Sequence, residues 1–378
     1  MFRLRNTLLL VAVLAAAPAA LAASGSWHRL PSAPLAPNSG VTSVWTGTQM
    51  FLFGRTETHD ATGAVVKRVA VAEAYDPNHG AWRRLPSPPA TQGFASVSSA
   101  WTGTEVLVWG QCTRLAFNPA TNHWRRLPSS RLLAVHDGYR IVAWTGRELI
   151  GWGGGCCGDA FDDGVAYSPA TDSWRALPRS PLTPGGSTGA WTGHELIVLG
   201  NEFDPDGKRY PARLARAAAY DPAKNAWQRI ATPPAPDGTA VWDGRDLLLI
   251  GAGSDGRSTF AYSRVTDRWR RLASLPSGRF GAVVAWTGSR VLPWGGYQYR
   301  SGTRNGRGYP VVPAHGLAYD AGRDSWSTLP VAPVAGRLGP TGVWTGRALI
   351  VWGGTNPKQP LGTGTLTYTD GAEFLGSN

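Results

Sequence analysis

Seven copies of one short unit leave this chain few folds to choose from. In the copy at 343–354, VWTGRALIVWGG, a Trp precedes a Thr-Gly turn, and an alternating apolar run then ends in Gly. The leading Trps are Trp45, Trp101, Trp144, Trp191, Trp242, Trp286 and Trp344, and only the fifth copy changes the turn, to Asp243-Gly244. Eight residues after them stand Phe53, Trp109, Trp152, Leu199, Ile250, Trp294 and Trp352, each followed by Gly. Such a fixed offset is what two antiparallel strands joined by a tight turn require, because one inserted residue would turn every later side chain to the opposite face.

A second unit alternates with the first. An aromatic opens it at Tyr75, Phe117, Tyr167, Tyr220, Tyr262, Tyr319 and Tyr368, and a Trp stands seven residues after the first six: Trp82, Trp124, Trp174, Trp227, Trp269 and Trp326. The seventh lacks that partner, whereas SWHRLP at 26–31 matches AWRRLP at 81–86. Trp27 is therefore expected in a strand beside Tyr368. Seven first-strand, seven fourth-strand and four second-strand positions account for all 18 Trps.

Two hairpins per repeat, at a period of roughly 40–50 residues, describe an all-β, seven-bladed β-propeller with four antiparallel strands per blade and an N-terminal strand closing the last blade. The Gly-Gly doublets Gly153-Gly154, Gly295-Gly296 and Gly353-Gly354, with a Tyr seven residues before a Trp, resemble the kelch-repeat family. The likeness covers nearly everything after residue 26, although four copies keep only one Gly of the doublet. It implies a kelch-type propeller and says little about function, since the family includes enzymes, sugar binders and protein-binding scaffolds.

Residues 1–23 have the form of a secretory signal peptide: Arg3 and Arg5, then an uncharged run, then Ala20-Leu21-Ala22 as a small-residue cleavage site. The propeller then occupies 24–378 as one domain, expected in the periplasm or secreted, with no membrane insertion after cleavage. The sequence carries +12; without the two leader Arg, 35 basic against 25 acidic residues leave +10, a charge that favours anionic partners. Much of it falls in Arg83-Arg84, Arg125-Arg126 and Arg270-Arg271, each just after a fourth-strand Trp, where charge guards an exposed blade edge. A dispersed rim is not the continuous basic stripe of a nucleic-acid binder, so no nucleic acid is expected.

From the second-strand Gly to the next aromatic the separation is 21, 7, 14, 20, 11, 24 and 15 residues, while both hairpin offsets stay fixed. Second-to-third and fourth-to-first connections emerge on one side of an up-and-down blade, so that face is expected to hold the site. Seven residues before each leading Trp lie Asn38, Phe94, Asp137, Pro184, Ala235, Arg279 and Arg337, expected around the mouth of the central channel. Arg279 and Arg337, with Asn38, suit a carboxylate or sulfate clamp; equally, each Arg suits closing its own loop on backbone carbonyls. His136 beside Asp137 offers an acid-base pair or a solvated loop histidine. Tyr297 and Tyr299 add aromatic faces suited to a saccharide or peptide.

In an oxidising compartment Cys112 is expected to pair with Cys156 or Cys157. No metal site or cofactor is assigned. Two function classes remain: a non-catalytic binding module for an anionic glycan, sugar acid or protein segment, or a periplasmic mutarotase/epimerase. The second resembles the kelch-family sialic-acid mutarotases, and would use Arg279 and Arg337 on the sugar carboxylate with Glu202 or His136 exchanging the proton. Galactose oxidase is a poorer comparison, because that family's copper centre uses a Tyr-His dipeptide, and no Tyr-His pair occurs here.

Overall fold

The structure, a computed structural model, describes residues 25–89, 97–110, 113–133, 141–154, 161–182, 187–201, 215–235, 237–300, 309–313, 315–355 and 367–376. These form seven four-stranded antiparallel sheets, one of them extended by a short extra strand, Tyr309–Val311. The innermost strands of successive sheets lie side by side around a complete circle, including Ser39–Trp45 of blade 1 against Thr341–Trp344 of blade 7. The fold is thus a seven-bladed β-propeller.

Local chemistry explains why the first hairpin repeats so faithfully. Its two-residue loop carries Gly at the first central position, with φ between 90° and 99° at Gly47, Gly103, Gly146, Gly193, Gly244, Gly288 and Gly346. Primed hairpin turns require this positive φ, which a Cβ would penalise. The Thr before each Gly accepts the amide three residues on, as at Thr102 and Glu105, where the distance is 2.9 Å. Asp243 does the same for Asp246 at 2.6 Å, which is why Asp replaces Thr there without disturbing the blade.

No blade has a core of its own. Seven hydrophobic clusters lie one in each junction between neighbouring blades, so every sheet buries both faces against its neighbours. The fourth-strand Trps complete the junctions. Each donates its indole N–H, at 2.8–3.0 Å, to the carbonyl four residues beyond the matching Trp of the preceding blade: Trp82 to Pro31, Trp124 to Pro86, Trp174 to Pro128, Trp227 to Pro178, Trp269 to Ala231, Trp326 to Ala273 and Trp27 to Pro330. The third-strand Tyrs pack on these indoles and donate their hydroxyls into the following turn, Tyr262 to Asp267 and Tyr319 to Asp324 at 2.7 Å. Asp267 and Asp324 have φ of 50° and 45°, a conformation that Asn, Asp and Gly tolerate best.

The closing blade combines Thr341–Trp344, Ala348–Trp352, Gly371–Gly376 and the N-terminal strand Gly25–Arg29. The expected partner of Trp27 needs correction. Trp27 pairs with Phe374 rather than Tyr368, their rings 5.2 Å apart. The seven-residue rule fails here because the third and fourth strands are not consecutive in sequence, so no offset marks which aromatic is the right one. The outer-edge reading changes for Arg125, whereas Arg270 and Arg271 are exposed as expected. Arg125 is half-buried, grips Glu105 at 2.7 Å and reaches across to Asp172 of blade 3 at 3.0 Å. Arg175 repeats this with Glu148 and Asn225.

Glu73 is a strained element of the junction between blades 7 and 1. It is 0% exposed; one carboxylate oxygen accepts the Leu35 amide at 2.9 Å, and the other has no partner among the described residues. Burial raises its pKa, with the amides of Leu35 and Ala36 and the charge of Arg84 opposing. The folded state therefore binds the proton more tightly than the unfolded chain. Stability from this group is greatest below the unfolded pKa and falls as pH rises toward the folded one. Glu73→Gln is expected to stabilise the protein at pH 7 by about 1 kcal/mol, with the gain shrinking below about pH 4. Urea unfolding at both pH values checks this; equal gains at both would remove ionisation as the cause.

Candidate functional site

A cleft of about 680 Å³ opens beside the channel where blades 1 and 7 meet. Both kinds of variable connection build it. The entry into blade 1 supplies Asn38, Ser39, Gly40 and Val41; the entry into blade 7 supplies Gly339 and Thr341. The second-to-third connection of blade 1 adds Glu57, His59 and Gly63, and that of blade 7 adds Gly354, Thr355, Thr367 and Thr369. Hydroxyl, amide, carboxylate, imidazole and bare backbone groups dominate this lining. Among the described residues, no Phe, Tyr or Trp belongs to it.

The blade 1 wall is an extension of the sheet. Met50–His59 pairs with Val65–Asp76 well beyond the blade, whereas the first strand reaches only Arg55 and the fourth ends opposite Glu73. Asn38 locks the entry loop to this wall: its amide accepts the Glu57 N–H at 2.7 Å and donates to the Glu57 carbonyl at 3.1 Å. The Glu57 carboxylate takes Arg55 at 2.8 Å and Arg68 at 3.0 Å. Burial works against its ionisation, but the Arg68 hydrogen bond and both guanidinium charges outweigh that and hold its pKa below the usual Glu range. At neutral pH the cleft thus contains a fixed carboxylate.

The two Arg residues assigned to the channel mouth sit behind the site. Arg279 is 2% and Arg337 1% exposed. Arg279 donates to the carbonyls of Gly295 and His315 at 3.3 and 2.6 Å, and burial pushes its pKa down to about 10. Arg337 donates to Ala335 O, Gly353 O, Asp370 O and Asp370 Oδ1 at 2.8–3.1 Å. The Tyr368 ring lies 4.2 Å from its guanidinium. Both thus take the loop-closing arrangement, bonding the carbonyl of the Gly that follows the second-strand Trp, Gly295 and Gly353. Gly354 makes the close approach possible, since a Cβ there would lie 2.7 Å from Leu338 O and 3.0 Å from Arg337 Cγ.

Of the other expected site residues, Tyr297 packs on Phe280 with ring centres 5.6 Å apart. Tyr299 lies in the same strand, paired with Pro310. Ala235 is in the core between blades 4 and 5. The leader 1–23, Phe94, Asp137, His136, Pro184, Glu202, Cys112, Cys156 and Cys157 lie outside the described residues. Sequence reasoning found Asn38 but missed Glu57, His59 and the four cleft Thr. The available signal was the 21-residue separation in blade 1, whose polar stretch TETH faces VVKRV across a turn.

No protein-family model matches this chain, and no curated protein sequence matches it. Among solved structures it is similar to a fungal alcohol oxidase of the AA5 family in complex with copper, with a TM-score of 0.65 and 13% identity, over 93% of this chain and 76% of that one. Identity this low speaks for the shared propeller fold alone. Among the described residues, no three His, Cys, Asp or Glu side chains converge as a metal-binding group.

Proposed function

We propose that this protein is an exported propeller of the kelch type that acts as a binding module, taking a carbohydrate in the cleft between blades 1 and 7. The observation that carries this reading is the cleft's lining: hydroxyls of Ser39, Thr341, Thr355, Thr367 and Thr369, the ionised Glu57, His59 and open backbone, set against the channel on the variable-loop face. Convergent small polar groups in a concave site suit a ligand dense in hydroxyls. With no aromatic side chain among the described lining residues, binding there depends on hydrogen bonds that replace those to water, and net gains of about 1 kcal/mol each point to modest affinity.

Thr369 is exposed at the cleft wall, so Thr369→Trp should fill the space without disturbing the core. Binding to an array of mono- and oligosaccharides is expected to fall at least about tenfold, or about 1.4 kcal/mol, with the melting temperature unchanged. An undiminished affinity would place the ligand elsewhere. The mutarotase alternative draws no support from the described residues, since His136 and Glu202 are not among them.

A further inference from the structure

We infer that the junction between blades 7 and 1 carries a second binding site, on the face of the short turns, where Glu373 and the Tyr75 hydroxyl take the guanidinium of an arginine or of a small arginine-like ligand.

The sister junctions show what fits there. Following blades present the hydroxyls of Tyr167, Tyr220, Tyr262 and Tyr319, each donating at 2.5–2.7 Å to an Asp or Asn five residues on. Each of these junctions also holds a guanidinium on a carboxylate: Arg125 on Glu105, Arg175 on Glu148, Arg264 on Glu195 and Arg270 on Asp246. In two of them the guanidinium bonds the Tyr hydroxyl as well, Arg125 to Tyr167 and Arg175 to Tyr220, both at 3.1 Å.

The junction between blades 7 and 1 keeps the acceptors and lacks the cation. The strand position of Arg125 and Arg175 is held by His28, which is exposed and bonds Ser26. Five residues beyond Tyr75 stands Gly80, so the hydroxyl of this 2% exposed Tyr has no hydrogen-bond partner among the described residues. The carboxylate has moved to the third strand. Opposite the residue that follows the fourth-strand Trp, the other six blades bury Ala74, Ala116, Ala166, Ala219, Ala261 and Ala318, and blade 7 has Glu373. Cross-strand pairing with Ile350 turns Glu373 toward blade 1, on the side where Ile350 and Tyr75 share one core.

Glu373 Oε2 is sealed from solvent with no partner among the described residues. Such a group is costly to bury alone, and a guanidinium would satisfy it. Burial and the Glu373 and Asp76 charges push the Tyr75 pKa up to about 12, so its hydroxyl stays neutral and able to accept. Asp76 is engaged by His79 at 2.9 Å, and Arg347, exposed in the first turn of blade 7, makes no ion pair among the described residues. Tyr75 and Arg347 both border short hairpin turns, so the site faces away from the cleft and is independent of the function proposed for it.

The test is calorimetric titration of the full chain with agmatine and with acetyl-Gly-Arg-Gly-amide, against the same tripeptide carrying citrulline, whose side chain is neutral. The arginine tripeptide is expected to bind at least about tenfold tighter than the citrulline one. Agmatine binding as tightly would identify a free small molecule as the ligand; a tighter peptide, an arginine on a partner chain. Glu373→Gln should remove the preference. His28→Arg, which rebuilds the arrangement of Arg125 and Arg175, should abolish binding and raise the melting temperature, a gain that a misfolded variant cannot mimic. Arg347→Ala should leave affinity within about twofold, since that side chain is not paired with Glu373. Equal binding of both tripeptides, no binding, or undiminished binding by His28→Arg or Glu373→Gln would each overturn the inference. Binding that appears only in Arg347→Ala would overturn it too, because the chain would then fill the site itself.

Discussion

Trp27→Ala is expected to cost about 3 kcal/mol of folding stability, near the lower end for removing a packed Trp. The indole lies 5.2 Å from Phe374 and 5.7 Å from Trp294, and it supplies the hydrogen bond to Pro330 that ties blade 7 to blade 6. Its strand holds the outer edge of Gly371–Gly376 through five consecutive residue pairs. Removing Gly25–Arg29 altogether should therefore do more than a point substitution: it bares a strand edge, opens the junction core around Trp294, and is expected to end cooperative unfolding and promote aggregation. Guanidinium denaturation followed by Trp fluorescence measures the first effect, and calorimetry with light scattering the second. A loss under 1 kcal/mol for Trp27→Ala, or a sharp reversible melt without the strand, would show that the circle does not depend on this closure.

The second large effect is expected at Arg337. Arg337→Met keeps the length of the side chain and its contact with Trp294 and Tyr368, but removes the side-chain donor from the carbonyls of Ala335 and Gly353, and leaves the Asp370 carbonyl only the Gly353 amide. Losing several hydrogen bonds from a charged donor inside the protein should cost about 2–4 kcal/mol. Those bonds join the segment entering blade 7 to the end of its second strand, and both segments line the cleft, so ligand affinity should fall together with stability. Urea unfolding and sugar titration on the same preparation would show this. A stability loss below 1 kcal/mol with intact binding would mean that the loops hold their shape without the guanidinium. The partial desolvation of Arg337, 1% exposed and with Nη2 lacking a partner, makes Lys a poor substitute, since one ammonium cannot span the three carbonyls.

The fold was legible because its determinants are local and repeated. Gly at a positive-φ turn position, a Thr or Asp that caps the turn, and a Trp seven residues after a Tyr each act within a few residues of chain, and seven copies average out the exceptions. Even the closure of the circle could be read, from Trp27 in SWHRLP. Tyr368 shows where legibility stopped: with no Trp at a fixed offset after it, nothing in the sequence separated it from Phe374. The site was less legible for a related reason. Arg279 and Arg337 looked like channel-mouth cations, yet whether such a side chain meets ligand or its own loop depends on carbonyls more than a dozen residues away. Glu57 and His59 carry no mark in the repeat that would single them out. They acquire meaning only because the second strand of blade 1 outruns its inner neighbour, leaving that stretch free beside Asn38 and Ser39.

The indole hydrogen bonds have a direction, each blade donating to the one before it, and the seventh donation returns to the start. A circuit of this kind has no privileged member. Where the polypeptide is interrupted becomes a question of synthesis rather than of energetics, and a circular permutant that joins Gly376 to Gly25 and reopens the chain at the exposed tip around Thr62 should reach the same native state. Whole blades could also be exchanged as cassettes, provided each brings its Trp and the carbonyl four residues beyond it.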